Sequence, residues 1–293
     1  MHRSIRISLI ASIAACGLLG DVTYHQTTKF TGGSLVEAMK KMASMPLMGR
    51  MGGGAMKTAF ADQQHDVYIK GNKMASIGPL TSILYDLDAG TITTINHEKS
   101  TYSTMTFDEL RQQMEQVQQR MHKGAEQDIE FDMKLSDTGQ TRTIDGQTAT
   151  EKLLTMTAKQ AGKDGQMVIK SHLWLAPPTP SMNEVAEFHK KLATKAAFAM
   201  GGFSPMMGSA STGLQAAMKQ SFEQNGYPVL TETEVSGVAG GGSPLGAMMG
   251  QSGGDPNTPM IQTEMQTTNF ATVSVDDGKF AIPAGYKEEK RRR

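Results

Sequence analysis

Residues 66–110 read DVYIKGNKMASIGPLTSILYDLDAGTITTINHEKSTYSTMTFDEL, and this stretch decides the fold. Apolar and polar residues alternate over Asp66–Lys70, as they do in a β-strand with one covered face. The short breaks between such runs, Gly71-Asn72 and Asp88-Ala89-Gly90, tolerate positive φ and therefore predict tight turns. Short strands joined by tight turns form an antiparallel meander. The sequence thus predicts one sheet whose apolar face the rest of the chain must cover.

Segments on both sides of this meander supply further strands. The same alternation recurs there, and Asp145-Gly146 has the composition of a two-residue hairpin turn. The further strands are predicted at residues 22–30, 129–135, 141–144, 148–158, 166–176, 227–235 and 260–275. We find neither an internal repeat nor a linker between two cores, so we expect a single domain. Its predicted extent is residues 21–286, with flexible insertions at about 44–60, 200–213 and 236–259, followed by a charged tail at 287–293.

Two long amphipathic helices are predicted to cover the sheet, because each is preceded by a capping box. In this motif a Ser or Thr side chain and a Glu three residues later satisfy the first free N–H groups of a helix. The boxes are Thr106 with Glu109, opening a helix at 107–122, and Ser181 with Glu184, opening one at about 181–199. A shorter helix is expected over Leu35–Ala43.

The composition excludes several classes of function. Lys plus Arg and Asp plus Glu both number 29, so no excess of positive charge is available to bind nucleic acid. The single cysteine, Cys16, leaves no partner for a disulfide. Methionine is unusually frequent, and five methionines recur at every third position: Met39, Met42, Met45, Met48 and Met51. Thioethers at this spacing could bind Cu(I), but they also form deformable apolar packing, which we prefer.

The N-terminus has the pattern of a targeting signal. Arg3 and Arg6 precede an apolar run over residues 7–19, which is too short to span a membrane. In one interpretation a lipobox ends at Cys16, whose lipidation would anchor the protein to a membrane. In the other, a signal peptide over residues 1–20 is removed. Only Gly-Leu-Leu-Gly would separate a lipidated Cys16 from the first strand, so we favour a periplasmic or secreted protein over a membrane-anchored lipoprotein.

Motifs within and beyond the meander resemble a family of secreted bacterial domains. They are YIKG at 68–71, LYDLDAGTITTIN at 84–96, MTFDEL at 105–110, IDG at 144–146 and FAIPAGY at 280–286. Together they resemble the domain-of-unknown-function family 4412, which is similar to the lipoprotein carrier LolA and to LppX. The resemblance implies a mainly β, α+β fold. In that fold a strongly curved antiparallel sheet, near half a barrel, carries helices on its concave face and Gly/Met-rich loops.

The resemblance also implies a function, because the curved sheet of LolA-like proteins holds acyl chains. We therefore expect a non-enzymatic envelope protein that binds a lipid, an acyl chain or a lipidated protein in an apolar slot, without a cofactor. The residues predicted to line the slot are Ile83, Tyr85, Ile95, Leu110, Met114, Phe131, Leu154, Trp174, Phe188 and Leu192. The same residues would also form an ordinary core. A ligand-free structural or interaction module is therefore the alternative hypothesis.

Signatures of catalysis are weak in this sequence. Residues 250–254 match the G-x-S-x-G motif of hydrolases, but the chemistry needs a strand before the serine, and here a glycine-rich segment precedes it. No two of the seven histidines have H-x-x-x-H spacing, and we expect His25, His65 and His97 at the surface. We therefore do not expect an enzyme.

Overall fold

The computed structural model describes six stretches of the chain: residues 20–43, 61–122, 129–160, 166–195, 226–237 and 258–289. The N-terminal signal with Cys16, most of the predicted insertions, and Met45, Met48 and Met51 lie outside them. Met39 lies within the first helix.

The described residues form a mainly β structure with three α-helices, so the predicted α+β class is confirmed. The strands are β1 (Val22–Gly32), β2 (Gln63–Lys70), β3 (Lys73–Ile77), β4 (Thr81–Asp86), β5 (Thr91–Asn96), β6 (Thr101–Thr106), β7 (Ile129–Ile144), β8 (Gln147–Gln160), β9 (Gln166–Ala176), β10 (Tyr227–Gly237), β11 (Ile261–Thr272) and β12 (Lys287–Glu288). The helices are α1 (Ser34–Ala43), α2 (Phe107–His122) and α3 (Pro180–Lys195), and a 3₁₀ helix spans Asp277–Phe280.

All twelve strands belong to one open sheet with the order β12-β6-β5-β4-β3-β2-β1-β11-β10-β9-β8-β7. Neighbouring strands are antiparallel, except that β12 runs parallel to β6. The predicted charged tail therefore begins as a strand. The first and last long strands, β1 and β11, pair in the middle of the sheet and join the β2–β6 meander to the β7–β10 half.

The turn chemistry behaves as the sequence predicts. Gly71 and Gly90 have positive φ in the turns that follow β2 and β4. Asp145 and Gly146 both have positive φ, at 49° and 75°, and join β7 to β8 as a hairpin. Residues 129–135 and 141–144 were expected as two strands, but they belong to one strand, β7. A register irregularity between Asp137 and Thr141 bends this strand without ending it.

The capping box of α2 is formed, whereas that of α3 is not. The Thr106 side chain accepts from the Glu109 N–H at 3.1 Å, and the Glu109 carboxylate accepts from the Thr106 N–H at 2.9 Å. Helix α3 begins at Pro180, one residue before the predicted start, and Thr179 accepts from the Met182 N–H. Proline is well suited to the first helical turn, so Pro180 begins the helix and places Ser181 inside it.

A segment near the C-terminus covers a cluster formed by Ala75, Leu84 and Ile95, against which Phe280 and Tyr286 pack. His97 connects this segment to the sheet. Its Nδ1 lies 2.9 Å from the Tyr286 hydroxyl, and its Nε2 lies 2.7 Å from the hydroxyl of Ser82 on β4. Beyond it, Lys287 donates its N–H to the Ser100 carbonyl. These contacts hold β12 against the β6 edge.

Candidate ligand-binding site

Helix α3 packs across the middle of the sheet, where it contacts β1, β10 and β11. Its apolar residues recur every three or four positions, so they share one helical side, and Met182, Val185, Phe188 and Leu192 are buried there. We call the cluster between this helix and the sheet the helix–sheet layer. Its buried members are Val22, Tyr24, Val67, Ile69, Met74, Leu87, Val185, Phe188 and Leu192, and the partly buried Tyr85, Phe107, Tyr227 and Phe270 pack against it.

Three aromatic side chains of the layer form one group. The Phe270 ring lies 5.3 Å from the Tyr24 ring, nearly parallel to it, and 5.2 Å from the Tyr227 ring in an edge-to-face arrangement. These separations fall in the range favoured by the aromatic quadrupole. Phe270 therefore links the tyrosine of β1 to the tyrosine at the start of β10.

The tyrosine hydroxyls of the layer are polar groups in an apolar environment. Tyr24 is only 5% exposed. Burial raises the pKa of its phenol well above the usual value, and the nearby phenols of Tyr227 and Tyr85 raise it further. Burial also raises the pKa of Tyr227 and of Tyr85. Among the described residues, none of these three hydroxyls has a hydrogen-bond partner, although a buried hydroxyl normally has one.

A histidine on α3 adds another neutral polar group. The ring of His189 lies 6.1 Å from that of Phe188, in an edge-to-face arrangement. Burial lowers the pKa of His189 to about 4. The imidazole is therefore neutral at physiological pH.

The structure brings together some of the predicted slot residues and separates others. Tyr85, Phe188 and Leu192 belong to the helix–sheet layer. Trp174 belongs to an adjacent cluster that includes Met182 and shares Tyr227 and Phe270 with the layer. Ile95 and Leu154 lie in two further clusters, while Ile83 and Leu110 are partly buried. The side chains of Met114 and Phe131 lie outside the described part.

Three residues of the site were not predicted from the sequence: Tyr24, Tyr227 and Phe270. Tyr24 follows Val22 on one side of a predicted strand, so its burial could have been expected. Phe270 meets the two tyrosines only because β1 pairs with β11. No local pattern indicates a pairing between residues so far apart in the chain.

A second polar group lies on strands β7–β10, and residues 250–254, which match the hydrolase motif, lie outside the described part of the chain. Glu151 is 3% exposed, and its carboxylate lies 2.6 Å from His172 Nδ1 and accepts from the Thr138 hydroxyl. Burial acts to raise the pKa of Glu151, but the hydrogen bonds from Thr138 and His172 lower it overall. Next to it, Trp174 donates to Glu232 at 2.9 Å. These hydrogen bonds satisfy buried polar atoms.

The histidines expected at the surface are partly buried and paired. His25 lies 2.9 Å from Asp66, and His65 lies 3.1 Å from the Ser76 hydroxyl. Across the described stretches, no three His, Cys, Asp or Glu residues lie close enough together to hold a metal ion.

None of the helices in the described part is both long enough and apolar enough to cross a membrane. The fold and the site together define a mainly β protein in which one helix closes an apolar, tyrosine-containing layer against an open sheet. No protein-family model matches the chain. No curated protein matches it in sequence.

Proposed function

We propose that this protein is a non-enzymatic protein of the cell envelope that binds an acyl chain, free or attached to a lipid or protein, beside helix α3. The proposal includes a periplasmic or secreted location, a LolA-like curvature of the sheet, and α3 on its concave side. The resemblance of residues 68–110 and 280–286 to secreted bacterial domains supports this assignment. Because a fold alone does not determine function, the proposal depends on the residues of the site.

The proposal rests mainly on the difference in size between helix α3 and the sheet. A helix of 16 residues is about 24 Å long and about 10 Å wide. Twelve strands spaced by about 4.8 Å extend over about 50 Å. Helix α3 thus covers a minority of the face on which it packs. Four aromatic residues that pack against the layer are only partly buried: Tyr85, Phe107, Tyr227 and Phe270.

An acyl chain bound at this apolar layer would contact the partly accessible aromatic rings. Each methylene transferred from water to such a site contributes about 0.8 kcal/mol, so a long chain gains binding energy without any specific polar contact. No charged group is needed along the chain itself, and the described members of the layer carry none.

Native mass spectrometry of the mature protein, purified without detergent from its own envelope, tests the proposal. We expect extra mass that extracts into organic solvent as a lipid. The variant Phe188→Ala, which widens the layer, should change the set of bound lipids, whereas Glu187→Ala, on the exposed side of the same helix, should not. A bare polypeptide that takes up neither fatty acid nor phospholipid would overturn the proposal and favour a ligand-free module.

A further inference from the structure

The helix–sheet layer contains tyrosine hydroxyl groups that form no hydrogen bond with the described residues. Tyr24 and Tyr227 flank the Phe270 ring, and Tyr85 lies close enough to Tyr24 to influence its phenol. Within the described residues all three hydroxyls lack a hydrogen-bond partner. An unpaired buried hydrogen-bond donor has a free-energy cost that is a large part of the stability of a domain. A bound molecule that accepts these hydrogen bonds would remove the cost.

The chemistry of the partner follows from the chemistry of the phenols. Burial keeps them protonated, because the pKa of each is raised, so they act as hydrogen-bond donors at physiological pH. The partner must therefore present acceptor oxygens. It must also be located where apolar side chains surround the donors, which requires a mostly apolar molecule with a small polar group.

The charge of the partner follows from its surroundings. An anion in an apolar site needs a cation beside it, because removing a carboxylate from water is costly. Among the described residues, the side chains that shift the pKa of Tyr24 are the phenols of Tyr227 and Tyr85, and burial lowers the pKa of His189 to about 4. The amino group of Lys195, at the end of α3, donates to the Leu87 carbonyl at 2.8 Å and makes no described contact with the three phenols. The site thus favours a neutral acceptor.

We propose that Tyr24 and Tyr227, assisted by Tyr85, bind the neutral carbonyl oxygens of an acyl ester, so that the ligand is an esterified rather than a free fatty acid. This inference rests on the proposed function, since it assigns the ester end of a ligand whose chain lies in the helix–sheet layer. The tyrosines are binding residues, and no covalent step is involved.

The test compares three ligands of one chain length: methyl palmitate, palmitic acid and hexadecane, each delivered from the same cyclodextrin to delipidated protein. Displacement of a neutral apolar dye reports binding. We expect the ester to bind about tenfold more tightly than the hydrocarbon, as one or two net hydrogen bonds provide. Tyr227→Phe and Tyr24→Phe should each weaken ester binding about fivefold and leave hydrocarbon binding unchanged. Tyr102→Phe, in the cluster around Ile95, is the matched control.

A spectroscopic measurement separates hydrogen bonding from a change of shape. With a carbonyl-labelled ester, the infrared carbonyl stretch should lie at lower frequency in the wild-type complex than in that of the Tyr24→Phe/Tyr227→Phe variant. The inference is overturned, with the proposed function intact, if ester and hydrocarbon bind equally or if the two variants bind the ester normally. Tighter binding of the acid than of the ester overturns the neutral-acceptor assignment. Failure of all three ligands to bind overturns the proposed function itself.

Discussion

At the scale of single residues, the molecule is defined by polar atoms in apolar positions. Glu151 is buried together with its partners, Thr138 and His172, as most buried polar groups are. Tyr24 is buried and Tyr227 is partly buried in a cluster whose other described members, apart from Tyr85, are apolar. Paired groups of the first kind stabilise the fold, whereas unpaired hydroxyls of the second kind lower the stability of the folded protein.

Replacement of Tyr227 by Phe should therefore stabilise the ligand-free protein. The substitution removes a hydroxyl that has no hydrogen-bond partner in the described part of the chain and keeps the ring against Phe270, so we expect the free energy of unfolding to rise by about 1 kcal/mol. Chemical denaturation of delipidated protein measures it, with Tyr102→Phe as the control. A loss of stability of similar size would show that the Tyr227 hydroxyl is already paired.

His189 should make stability depend on pH in a defined window. Its pKa falls from 6.5 to about 4 on folding because burial disfavours the charged form. Between these pH values the unfolded chain binds more protons than the folded one. The contribution of His189 to the free energy of unfolding is therefore complete above pH 6.5 and is lost as the pH falls toward 4. The loss is at most about 3 kcal/mol.

The variant His189→Leu isolates this contribution. Its free energy of unfolding should fall less steeply than that of the wild type between pH 6.5 and 4. Urea denaturation at a series of pH values compares the two. Parallel profiles would mean that the imidazole reaches water and titrates normally in the folded protein.

At the scale of elements, the sequence predicts strands and turns better than it predicts where a helix begins. Alternation and turn residues locate β2–β6, and the capping box of α2 forms as expected. The Ser181–Glu184 pair satisfies the same pattern, but Thr179 competes with it and is followed by a proline. A spacing rule cannot decide between two hydroxyl residues separated by two positions.

Removal of the Thr179 side chain should consequently destabilise α3. Thr179→Ala leaves the Met182 N–H without its acceptor, and loss of a helix cap costs about 1 kcal/mol. Because Ser181 is buried inside the helix, a comparison with Ser181→Ala tests which residue caps it. Equal or larger destabilisation by Ser181→Ala in thermal unfolding would restore the original prediction. Thr194→Ala, at an exposed position of the same helix, controls for the replacement of a threonine by alanine as such.

At the scale of the whole molecule, the order of strands is what the sequence does not predict. The meander follows from local alternation, but the pairing of β1 with β11 joins residues near opposite ends of the chain. The layer depends on that pairing, because Phe270 reaches Tyr24 through it. Of the predicted slot residues, Tyr85, Phe188 and Leu192 meet in the layer, while Ile95 and Leu154 belong to other clusters. A list of apolar residues does not specify the side of the sheet on which each one lies.

The C-terminal segment should protect the edge of this sheet. Truncation after Gly285 removes Tyr286, which His97 binds, and β12, which covers β6. Hydrogen exchange followed by mass spectrometry should then show faster exchange in residues 101–106, because β6 becomes an edge strand. Residues 227–237, in the centre of the sheet, serve as the internal reference. Unchanged exchange in residues 101–106 would show that β12 contributes no protection.

The pairing of β1 with β11 also determines when the protein can fold. Residues 261–272 leave the ribosome after every other long strand, and until they arrive β1 lacks the neighbour on one of its sides. Contacts between such distant parts of a chain form slowly, because a large loop must close first. The two halves of the sheet can therefore join only after residues 261–272 have been synthesised.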